Sequence, residues 1–197
     1  MSGCGLKIET SAESYFFELV QGAVKNQNVK IQPETEYYIV KLLNRFIFSE
    51  SLYSKNSEGN LEDQPIVLLY KEALEASTPP ERKTLFQNVG DISLYKAGFF
   101  QESLNHAKID VDYYIGMGGS AYLNASKITD DRHFQHLFSE LADKFDRFVR
   151  VLFEVSEKTS LSSTKTESDL LRMYDLWSNT GSERAARVLK KSGIRLK

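Results

Sequence analysis

The chain has 197 residues, 41% hydrophobic and 26% charged, with a formal net charge of −2, which excludes global disorder. Eleven Gly and four Pro exclude a collagen-like or low-complexity chain, and a single Cys excludes a disulfide scaffold and a cysteine-built zinc site. The length fits one domain, and 12 Phe, 10 Tyr and 1 Trp make its core or a contact surface aromatic.

Residues 1–10 are expected to form a flexible N-terminus. Met1-Ser2-Gly3-Cys4-Gly5 has neither the basic start nor the apolar run of a secretory signal, Gly3 is not placed for myristoylation, and Cys4 reads as a free thiol. No stretch approaches the roughly 20 apolar residues of a membrane span. These features predict a cytoplasmic protein with no membrane insertion.

The periodicity is helical almost throughout. A first helix is predicted from Ser11 to about Gln27, capped by Thr10 or Ser11, with Tyr15, Phe16, Leu19, Val20 and Ala23 on one stripe. Pro33, followed by Glu34 and Glu36, starts a second helix whose stripe is Tyr38, Leu42, Leu43, Phe46 and Ile47. The polar stretch from Ser54 to Gln64 reads as a surface loop, and Pro65 opens a helix through Leu68, Leu69, Ala73 and Leu74. Thr78-Pro79-Pro80 is a break, and Pro80 can begin the following helix; Leu85, Phe86, Val89, Ile92 and Tyr95 carry it towards a stop at Gly98. From Asp130 to about Lys158 the spacing of Phe134, Leu137, Phe138, Leu141, Phe145, Phe148, Val149, Leu152 and Phe153 predicts one long amphipathic helix, the central rod of the fold. Residues 159–166, rich in Ser and Thr, read as a linker. Residues 167–197 are predicted as a helical hairpin docked on the bundle of residues 11–158, with Ser182 and Gly193 bounding its last helix.

The most unusual stretch is Asp110 to Ala125, with Gly116, Gly118 and Gly119 in four positions. Glycine costs about 1 kcal/mol against alanine inside a helix, so something must offset it. Three readings compete. A strand from Ile109 to Ile115 with a phosphate-cradling loop would match Gly116, Gly118 and Ala121 to a loose dinucleotide pattern, but no βαβ context surrounds it. A glycine-bearing helix would let a cofactor approach its backbone, as in the heme oxygenases; those enzymes need a His near the N-terminus, and none precedes His106 here. Close helix–helix packing needs neither context and is the favoured reading. His133 and His136, three apart and near Glu140, lack the Glu-x-x-His pattern of di-iron bundles. Cys4 has nothing to preorganise it, and no serine sits on a nucleophile elbow. Asp91, set between apolar neighbours, is expected to bond a backbone end or a Tyr, with a catalytic acid as the sharper alternative. No catalytic residue, metal ligand or cofactor is therefore assigned.

Charge is polarised. Residues 182–197 carry six cations against Glu183 alone, or +5, which leaves −7 on residues 1–181. Arg184, Arg187, Lys190 and Lys191 recur at three- and four-residue steps, so they form one stripe. Phe99 and Phe100, directly after Gly98, read as a buried corner; together with the stripe they are the candidate partner-binding residues. An acidic protein surface suits such a stripe; nucleic acid would be repelled by the rest of the chain.

Two stretches carry a resemblance. One is Val89-Gly90-Asp91, Leu94, Gly98-Phe99-Phe100 and Tyr113-Tyr114-x-x-Met117-Gly118-x-x-Ala121-Tyr122; the other is Tyr174-x-x-Trp177 followed by Gly181-Ser182-Glu183-Arg184. Over roughly residues 60 to 192 the chain is similar to small helical proteobacterial proteins of unassigned function and resembles the RomX family. That resemblance implies a non-enzymatic partner of a response regulator and a small GTPase in bacterial cell polarity and motility, and it carries over no site residue.

The expected fold is all-α, a single bundle of seven or eight helices. The expected function is a non-enzymatic interaction or regulatory module; the alternative is a heme-oxygenase-like or metal-dependent enzyme at the glycine helix.

Overall fold

The computed structural model of the protein describes residues 4–46, 54–55, 61–62, 64–101, 110–163, 170–171, 174, 177–178 and 183–194. Among them are eight helices and one two-residue antiparallel ladder, Ser54–Lys55 against Leu61–Glu62, at the ends of the stretch predicted as loop. The fold is all-α.

Helix α1 (Cys4–Asn26) begins within the stretch expected to be a flexible end, well before Ser11. It ends where Asn28 takes φ 51°. Val29 N–H reaches back to Val24 O at 3.1 Å and Asn28 N–H to Lys25 O at 3.2 Å, a closure that needs a left-handed residue. Helix α2 (Pro33–Phe46) starts on the predicted proline, with Glu34 and Glu36 in its first turn. Helix α3 (Ile66–Glu75) buries only Ile66 and Ala73 fully.

Helix α4 (Pro79–Phe99) has its N-terminus capped by Thr78, whose hydroxyl accepts from Glu81 N at 3.4 Å, and it ends at Phe99, one residue past the expected stop at Gly98. From Val89 to Gly98 every residue but Lys96 is buried, so this second half of the helix is enclosed on all sides. Helix α4 is the central element, 21 residues and about 31 Å long.

Helix α5 (Val111–Ile128) contains all three clustered glycines; residues 111–115, which the dinucleotide reading needed as a strand, are helical. The predicted central rod is two helices, α6 (Arg132–Asp143) and α7 (Phe145–Ser163). The break is at Lys144, with φ −115° and ψ 20°. Its ammonium is drawn to Lys30 O and to Glu140, both at 2.7 Å. The apolar pattern does not register the break because Phe138, Leu141, Phe145, Phe148 and Leu152 face one core from both sides of it.

Helix α7 also runs into the Ser/Thr stretch predicted as linker. Ser156 and Thr159 hydroxyls donate to Phe153 O and Val155 O at 2.9 Å, so these residues are helical without leaving a buried hydroxyl unpaired. Residues 164–166 lie outside the described residues. The final helix α8 (Glu183–Lys191) lies against α7, with its Val188 and Leu189 buried, and Gly193, at φ 84°, follows it as predicted.

Candidate functional site

Three helices converge on one buried carboxylate. Asp91 on α4 is 1% exposed. Its Oδ1 accepts from Tyr38 Oη of α2 and Tyr122 Oη of α5, both at 2.6 Å, and its Oδ2 accepts from Arg45 of α2 at 2.6 Å. Gln87 donates to Tyr38 Oη at 3.0 Å. Burial pushes the Asp91 carboxyl above its ordinary value, while Arg45 and the two tyrosines pull the other way. Burial and the adjacent carboxylate hold both tyrosine hydroxyls well above the usual phenol range. Burial alone would lower Arg45, but Asp91 outweighs it and holds the guanidinium charged. Both Asp91 oxygens are engaged, so its chemistry here is that of a tie among α2, α4 and α5. The expected tyrosine bond is present twice over.

Small residues make that convergence possible. A Cβ on Gly90 would meet the Tyr122 ring at 2.6 Å, and one on Gly98 would strike Leu152. One on Gly118 would strike Phe145 and lie 2.7 Å from Ser93 Cβ. The favoured reading expected close packing at Gly116, Gly118 and Gly119; it is found at Gly118. Gly119 has ordinary contacts at 3.8 Å, and Gly116 faces open space. The approach to Gly118 that a cofactor would need is filled by Phe145 and Ser93.

Beside this tie lies an apolar groove of about 660 Å3 between α2 and α6. On α2 its wall is Glu34, Tyr37, Tyr38 and Lys41, one complete face at i, i+3, i+4, i+7. On α6 it is His133, His136, Leu137 and Glu140, with Phe134 beside them. Tyr37 is 50% exposed and Phe134 42%. The two helices run antiparallel: Thr35 Oγ1 donates to Glu140 at 2.5 Å, while the Tyr38 ring meets Phe138 one turn further along, centroids 6.2 Å apart. Glu34 and Glu140 thus share one end of the groove, and Lys41 lies at the other. Partial burial opposes the Glu140 charge, but Lys144, Thr35 and the Gln32 N–H outweigh it and hold this carboxyl below its usual range. Lys41 is bonded to Glu13 at 2.8 Å. Glu34 has no salt-bridge partner among the described residues. The Tyr38 ring lines the groove while its hydroxyl reaches back to Asp91, so one side chain joins the two features.

The other singled-out residues lie elsewhere. Phe99 stacks on Tyr95, centroids 4.7 Å apart, and is half-buried; Phe100 is exposed and edge-on to the same ring. Arg187, expected on a free basic stripe, instead leans on α7, its Nε 3.5 Å from Glu157. Lys190 is exposed; the side chains of Arg184, Lys191 and Cys4, and all of His106, lie outside the described residues. Among the described residues no three His, Cys, Asp or Glu side chains gather as a metal site, and no helix is long and apolar enough to cross a membrane.

The groove was missed in the sequence. Its signal was Tyr37, a large aromatic off the core stripe of α2, and Phe134, which was counted into the core stripe of α6. No protein family, curated protein or solved structure matches the chain.

Proposed function

We propose that this protein is a non-enzymatic interaction module of the cytoplasm, and that the α2–α6 groove is where its partner docks. The observation that carries the reading is a half-open apolar groove walled by two exposed aromatics, Tyr37 and Phe134, on rigid helices. Large aromatics on a fixed scaffold are the residues that most often dominate binding energy. The buried Asp91 has both carboxylate oxygens engaged by its own chain, which favours a structural role for it over catalysis. The resemblance to the RomX family supplies a class of partner, a small GTPase or a response regulator.

The test is affinity capture from native extract with the wild type, a Tyr37→Ala/Phe134→Ala double variant and a Lys190→Glu variant, each first shown to melt cooperatively. The reading expects a partner held by the wild type and by Lys190→Glu and lost by the double variant. Retention by the double variant overturns the groove as the site. Stoichiometric iron or a visible chromophore in the purified protein overturns the non-enzymatic class.

A further inference from the structure

Resting on that reading, we infer that the groove takes an amphipathic helix of a protein partner, with a basic side chain placed to meet Glu34. The argument for a helix is one of matching surfaces. Each wall is one face of a helix, two turns long: Glu34 to Lys41 on α2 and His133 to Glu140 on α6, about 10 Å each. A third helix laid along an antiparallel pair buries a stripe of the same length in the slot between them. An extended peptide has no such match. Its backbone N–H and C=O groups would lie over an apolar floor with no strand edge to pair with, whereas a helix satisfies its own backbone.

The argument for a basic residue is one of charge. Glu34 and Glu140 stand at the same end of the groove. Glu140 is engaged by Lys144, Thr35 and Gln32, but Glu34 has no counter-charge among the described residues. At the other end Lys41 is neutralised by Glu13. Among the lining carboxylates and Lys41, Glu34 at the start of α2 is thus the one without an ionic partner among the described residues. A cation on the incoming helix neutralises it; an anion there meets a like charge.

The experiment uses the full chain and three fluorescent synthetic helices of about five turns. All carry the same leucine stripe and differ in one flanking residue: Lys, Gln or Glu. Fluorescence anisotropy at low salt is expected to rank them Lys, Gln, Glu, with about a fivefold gap between Lys and Glu. Glu34→Lys is expected to reverse that order, and Phe134→Ala to weaken all three by about tenfold or more. Equal affinity for the Lys and Glu helices overturns the charge assignment and leaves the groove reading standing. No binding by any helix, with the captured partner still lost on Tyr37→Ala/Phe134→Ala, overturns the helical occupant alone. Two other occupants would each overturn the inference. One is a second copy, seen as a dimer in sedimentation that Phe134→Ala dissociates. The other is an amphiphile, seen as saturable uptake of a dansyl fatty acid where the helices fail.

Discussion

The three glycines of α5 lie in three different environments, and alanine at the two extremes reads them out. Gly116 faces open space on an exposed face, so Gly116→Ala is expected to raise stability by about 1 kcal/mol through helix propensity alone. Gly118→Ala drives a Cβ into the Phe145 ring and Ser93 and is expected to cost about 1–3 kcal/mol; thermal or urea melts check both. Equal effects at the two positions would show that α5 does not pack as described. Ser93 itself has a fully buried hydroxyl without a hydrogen-bond partner among the described residues, so Ser93→Ala is expected to be neutral or stabilising by up to about 1 kcal/mol. Asp91 makes a prediction with a sign. Its carboxyl is raised in the folded state, so the favourable part of its contribution is complete below the unfolded value of 3.8 and is lost as pH rises through the raised one. Asp91→Asn does not titrate there. The stability of the wild type relative to that variant is therefore expected to decline from pH 3.5 towards neutrality. Glu140, held below 4.5, acts in the opposite sense: its contribution is present above 4.5 and is lost on acidification, so Glu140→Gln is expected to blunt acid unfolding. Urea melts at four or five pH values give both slopes.

Among the elements, what the sequence could report was burial pattern, and what it could not report was whether a helix runs on. The start at Pro33 was legible, and the one expected at Pro80 falls one residue earlier at Pro79, because proline fits the first turn; the stop at Gly193 was legible because its φ is open to glycine. The Lys144 break was not, since the apolar stripe continues across it and the causes are distant: Lys30 O and the Glu140 carboxylate. The central role of α4 was hidden for a related reason. A stretch buried all round has no stripe, and Gly90, Ser93, Ala97 and Gly98 gave little apolar signal although each is buried. The buried tie was legible only in half: Asp91 announced itself by its apolar neighbours, whereas Tyr38, Arg45 and Tyr122 come from 31 to 53 residues away. The C-terminal helix is the element whose attachment is most easily tested. It meets α7 through the Arg187–Glu157 pair, and its Val188 and Leu189 are buried. Leu189→Asp buries an unpaired charge and is expected to release this helix. Limited proteolysis should then cut near residues 183–194 while the near-UV circular dichroism of the rest is unchanged. Resistance equal to the wild type would show that Leu189 does not hold the helix down.

At the scale of the molecule, the −7 on residues 1–181 and the +5 beyond them partly face each other, because Arg187 is turned towards Glu157. That contact changes what the basic end can do. A stripe free on all its cations would steer an acidic partner; one with Arg187 engaged keeps exposed Lys190 among its described side chains for that purpose. The groove and the basic helix should therefore differ in kinetics, not only in strength. Aromatic anchors seated in a groove act after encounter, so Phe134→Ala is expected to speed dissociation and leave association within about twofold of the wild type. A solvent-facing charge acts before contact, so Lys190→Glu is expected to slow association by about twofold to threefold, with little change in dissociation. Raising ionic strength from about 0.05 to 0.3 M shortens the Debye length from roughly 14 to 6 Å, so the Lys190 effect should fade while the Phe134 effect persists. Surface-plasmon measurements with the captured partner at the two salt levels read all four quantities. A Lys190→Glu defect that is as large at high salt, or one that appears in dissociation, would place Lys190 inside the interface and make the groove one part of a wider contact.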